Sequence, residues 1–150
     1  MPTLASVKDV VQIAVFVFGI WGAFQAYRTY RANSHLEQAR WTVRMYEKFF
    51  EQGTLKTVRD ALDCAPDSAT ATSLVEAEST ELTDYLNFFE LLAILRESKQ
   101  MRTAAIEDMF GYYLDCIQRQ RVLVSYVTDS KNGFEKLSKY LATRAARQEG

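Results

Sequence analysis

The side chains that chemistry would have to use are few. His35 is the chain's one histidine, and Cys64 and Cys116 are its two cysteines. One imidazole excludes a zinc site built on two or more histidines, and neither His-x-x-x-His nor His-Glu-x-x-His occurs. A general base needs a nucleophile and an orienting partner, and the sequence offers His35 neither. It therefore reads as a solvated imidazole. A reactive thiol needs a depressed pKa, from a paired imidazole or a helix N-terminus. Cys116 falls mid-helix beside an apolar stripe and reads as a small core residue. Two free cysteines suit a reducing compartment. There is no Cys-x-x-Cys pair and no glycine-rich loop of nucleotide-binding spacing.

The carboxylates give two further candidates. Glu76, Glu78, Glu81 and Asp84 cluster in sequence, but a di-metal carboxylate bundle also takes Glu-x-x-His from two helices. One histidine leaves too few ligands, so the cluster reads as a solvated acidic face. Glu90 stands apart, inside Asn87-Phe88-Phe89-Glu90-Leu91-Leu92. A carboxylate among residues that must be buried is costly unless a cation or several donors meet it. Arg59 is a candidate partner in an architectural ion pair, Arg121 is another, and an exposed Glu90 is the plainer reading. No catalytic, cofactor-binding or metal-ligating residue emerges, and no cofactor is expected.

The elements that would position these groups are helical throughout, which makes the fold class all-α. Trp41, Met45 and Phe49 recur at four-residue steps up to Gly53. A short helix over 55–62 follows, then a break at residues 65–68 and a poorly structured Ala/Thr/Ser stretch to Ser73. Residues 74–96 read as one helix with an unusually wide apolar arc, suited to the centre of a small bundle. The polar run 97–102 is a turn and Thr103 a helix cap. Ile106, Phe110, Tyr113, Ile117 and Val124 make one long stripe, with 122–128 as its end. Asn132 and Gly133 turn the chain into a last short helix. The candidate core is Trp41, Phe49, Leu86, Phe89, Phe110 and Ile117.

Residues 10–27 carry no charge, and at about 1.5 Å per residue they would make a helix of roughly 27 Å. This run reads as a single transmembrane helix followed by a small helical bundle. Domain boundaries are expected at 1–32, the anchor helix, and 33–150, the bundle. Arg28, Arg31, Arg40, Arg44 and Lys48 follow the run against Glu37 and Glu47, so the positive-inside rule places the C-terminal side in the cytoplasm. The expectation is an inner-membrane protein with its N-terminus outside. Gly19 and Ala23, like Gly22 and Ala26, lie four apart and are candidates for close helix pairing.

Taken with Arg59 and the Asn87-Phe88-Phe89-Glu90 run, the basic-flanked segment and the aromatic stretch 41–50 resemble a bacterial family of small proteins with one N-terminal span and a cytoplasmic helical domain. The resemblance implies an all-helical fold; the family has no established activity to transfer. A net charge of -1 in 150 residues excludes a general attraction for nucleic acid. The expected partners are the lipid bilayer and a protein partner or a further copy of the chain. The expected function is a non-enzymatic, membrane-anchored interaction module or accessory subunit. The alternatives are a self-assembling effector whose span oligomerises and perturbs the bilayer, and an enzyme of unidentified chemistry.

Overall fold

The computed structural model describes the backbone of residues 4–62 and 69–148, and side chains at 18–30, 33, 36–62 and 69–147. His35 and Cys64 fall outside the described side chains. The described residues form seven α-helices: α1 (Leu4–Glu51), α2 (Gly53–Ala61), α3 (Ala69–Glu76), α4 (Thr80–Glu97), α5 (Thr103–Arg119), α6 (Arg121–Thr128) and α7 (Glu135–Gln148). A 3-10 turn at Ser130–Asn132 precedes α7. The all-α class is as expected.

The chain divides into two compact units, Met1–Ala39 and Arg40–Gly150. The first consists of the leading part of α1, and here the reading of a transmembrane helix is overturned. Among the described residues, no helix is long and apolar enough to cross a membrane. Within the described side chains the apolar run occupies positions 18–27 before Arg28. The preceding positions, 10–17, lie outside the described side chains. With the span go the inner-membrane topology, the bilayer as partner, the membrane anchor and the bilayer-perturbing effector.

The second unit has more helix breaks than the sequence suggests, because several are made without glycine or proline. Residues 74–96 hold the end of α3 and most of α4, separated at Glu78, whose φ is +47°. Ser79 N–H donates to the Leu74 carbonyl and Glu78 N–H to the Val75 carbonyl, a left-handed C-terminal cap. Lys99 (φ +58°) closes α4 in the same way. Ser79 then caps α4, accepting from Leu82 N–H at 3.3 Å. Thr103 is the first residue of α5, and its hydroxyl accepts from Arg96 instead of capping. Gln120, fully buried and extended, separates α6 from α5, so 122–128 is a helix of its own. The Ala/Thr/Ser stretch folds as α3.

The core lies in this second unit. Eight of the eighteen residues of α4 are buried, and α4 packs on α2 and α7. A further layer forms where α6 meets α3, α5 and α7. Phe49, fully buried at the end of α1, is the hub. Its ring centroid lies 4.7 Å from Tyr113, 4.9 Å from Phe88, 5.3 Å from Phe110, 5.8 Å from Phe89 and 6.1 Å from Tyr85. Cys116 is also buried, but it is disulfide-bonded, which corrects the reading of two free thiols and removes the argument for a reducing compartment.

One polar atom in this core is unsatisfied. Among the described residues the buried Tyr85 hydroxyl finds no hydrogen-bond partner, and burial pushes its pKa far above the ordinary tyrosine value. Two opposite effects are expected. Phe49→Ala removes the hub and is expected to cost about 3–5 kcal/mol. Tyr85→Phe removes only the orphaned hydroxyl and is expected to stabilise by about 1 kcal/mol. Urea unfolding monitored by circular dichroism checks both, as midpoints moving in opposite directions at unchanged slope.

Candidate interaction surface

Most charged side chains of the second unit with resolved partners are occupied in holding helices together. Glu90 sits half-buried on α4 and accepts from two backbone amides at the start of α7, Lys136 N–H at 3.1 Å and Leu137 N–H at 2.6 Å. It is an N-cap supplied from another helix: the carboxylate satisfies two orphan donors and meets the positive end of the helix dipole. Arg59, on α2, donates to the Phe49 carbonyl at 3.1 Å and lies over the rings of Phe49 and Phe50 at 5.5 and 5.1 Å. It serves the C-terminal end of α1. The structure therefore holds Arg59 and Glu90 at different helix ends and does not bring them together.

A second polar centre gave no local signal in sequence. Arg144, on α7, is buried and donates to Glu107, Asp115, Gln118 and the Gly111 carbonyl, all on α5. Burial opposes its charge, but the Asp115 and Glu107 carboxylates outweigh that and raise its pKa. Tyr140 donates to Glu107 at 2.7 Å, while Arg96 lies 4.6 Å over the Tyr140 ring. The acidic residues Glu76, Glu78, Glu81 and Asp84 lie outside the buried core, and Glu81 accepts from the Ser79 hydroxyl, which lowers its pKa. Of the core candidates, Phe49, Leu86, Phe89, Phe110 and Ile117 are fully buried and Trp41 is partly buried.

The apolar surface is concentrated elsewhere. In the first unit Phe18, Ile20, Trp21, Phe24, Tyr27, Tyr30 and Leu36 are each more than half exposed. Gly19, Gly22, Ala23 and Ala26 lie among them, and a Cβ built on Gly19 or Gly22 meets nothing within 4 Å. At 100° per residue, Ile20, Ala23, Phe24, Tyr27 and Tyr30 share one side of the helix, with Gln25, Thr29, Phe18 and Leu36 opposite and Trp21 on the flank between. The Arg28 guanidinium lies 5.8 Å over the Phe24 ring. The second unit carries a smaller ladder of rings, Tyr46–Phe50–Tyr113–Tyr112, at 4.5, 6.3 and 5.2 Å, with Tyr46 and Tyr112 exposed at its ends.

The separate helix-end roles of Arg59 and Glu90 have a measurable consequence. Glu90→Ala is expected to cost about 1–2 kcal/mol through the lost cap of α7. Arg59→Met is expected to destabilise independently, and the double variant to equal the sum within about 0.5 kcal/mol. A double-mutant cycle by thermal unfolding checks this; a clear coupling energy would mean that the two residues act as a pair.

Comparison with protein-family models, curated proteins and solved structures finds no match to this chain. With no spanning helix among the described residues either, the resemblance to the single-span family is not sustained.

Proposed function

We propose that this chain is a protein-interaction module, in which a folded helical unit carries a helical arm that binds another polypeptide. The observation that supports it most directly is one side of the arm, where Ile20, Phe24, Tyr27 and Tyr30 are each more than half exposed. Single-chain proteins that stay unpartnered seldom show so continuous an apolar surface. Aromatic rings are also the side chains that give contact area at small entropic cost. The second unit supports a binding role over a catalytic one, since Glu90, Arg59, Glu107 and Arg144 each serve a helix end or a helix–helix contact.

A photoreactive benzophenone amino acid placed in the full-length chain tests the reading in cells. Positions 24 and 27 are expected to give protein adducts on irradiation, and position 25, on the opposite side of the helix, is not. No protein adduct at 24 or 27, or equal yields at 25, overturns the proposal.

A further inference from the structure

We infer that the partner of the arm is a second copy of the same chain, joined by parallel helix pairing. This rests on the arm being a protein-binding element, and it comes from the register of the side chains on α1. Ile20, Ala23, Tyr27 and Tyr30 follow steps of three, four and three, the a and d positions of a heptad. The sequence continues the same steps upstream with Ile13 and Phe16. In this register Phe24 falls at e, while Gly19, Ala26 and Asn33 fall at g. One flank of the seam is therefore large and the other small.

That asymmetry selects the geometry. In a parallel, in-register pair, each g residue lies beside the e residue of the next heptad on the other helix. Phe24 of one copy then rests on Gly19 of the second, and the reverse contact forms by symmetry. An antiparallel pair instead sets the e flanks against each other and the g flanks against each other, so Phe24 loses its glycine and the small flanks face a gap. Arg28 falls at b, outside the seam, and Arg31 at e, beside Ala26 of the other copy; Ser34 and Glu37 at the next a and d end the seam after Tyr30. Phe18 and Trp21, at f and b, also stay outside it.

The area is sufficient. Ile20, Phe24, Tyr27 and Tyr30 are 69%, 52%, 60% and 75% exposed. At about 150–250 Å² for each large side chain, they offer on the order of 500 Å² per copy. A two-fold pair that covers all of it removes about 1,000 Å² from water, the lower limit for a specific interface.

Sedimentation equilibrium on the full-length chain, with no detergent or lipid, tests the inference. A dimer is expected. Gly19→Leu places bulk where Phe24 of the other copy would rest, at a position where a Cβ meets nothing within 4 Å in its own chain. It is expected to raise the dimer Kd about tenfold or more. Gly22→Leu, at c and equally open, is the control and leaves Kd unchanged. Gly19→Leu combined with Phe24→Ala exchanges large for small and recovers most of the affinity. Ala23→Cys, at a d position, forms an interchain disulfide on mild oxidation only if the helices are parallel and in register.

A monomer at tens of micromolar overturns the inference, as does a monomer that attaches to phosphatidylcholine vesicles. So do equal effects of the two leucine variants, or failure of Ala23→Cys to crosslink. A monomer that still gives heterologous protein adducts at position 24 overturns the second-copy inference alone and leaves the proposed function standing.

Discussion

Burial of one phenylalanine ring organises the second unit. Phe49 belongs to α1, yet its ring neighbours come from α4 and α5, through Phe88, Phe89, Tyr85, Phe110 and Tyr113. Several of these contacts are edge-to-face, the arrangement in which the positive ring edge meets the negative face, worth roughly 0.5–1.5 kcal/mol beyond burial. The same residue's carbonyl receives Arg59 from α2. One position thus draws four helices together, through its ring and through its backbone. α4 then has to be apolar on nearly every side, because α2, α7 and the Phe49 ring all approach it.

The polar groups around that centre solve a different problem. α7 has fourteen residues, a length at which an isolated helix is marginal in water. It is secured at its start by Glu90 from α4 and along its length by Arg144 and Tyr140, which reach α5. Arg144 is tolerated in a buried position because two carboxylates and two further oxygens meet its guanidinium. Charges used in this way are committed to the fold.

Periodicity made part of this legible in advance. The apolar steps of α2, α4, α5 and α7, and the rings that line them, were readable because a helix repeats every 3.6 residues and its buried face must be apolar. The buried positions of Phe49, Leu86, Phe89, Phe110 and Ile117 lie on those faces. The turn at 97–102 was legible from its polar run; what the sequence did not show were the breaks at Glu78 and Gln120, where residues other than glycine or proline take turn conformations. Left-handed conformations at Glu78 and Lys99 oppose their local preference and are held by hydrogen bonds to the preceding helix. The uncharged run at 10–27 also read as a span, whereas among the described residues no helix is long and apolar enough to cross a membrane.

The sequence by itself determined that the chain is helical, which faces are apolar, and that Glu90 needs a partner if it is buried. Only the tertiary structure decided what meets it: two amides of α7, 46 and 47 residues away. It likewise decided that Arg59 serves the end of α1, that Arg144 gathers four oxygen-bearing groups of α5, and that Tyr85 finds no partner among the described residues. The reason is physical. A helical face is written in neighbours three and four positions apart, whereas a hydrogen bond between helices depends on how packed side chains set the distance between them, which no local pattern records.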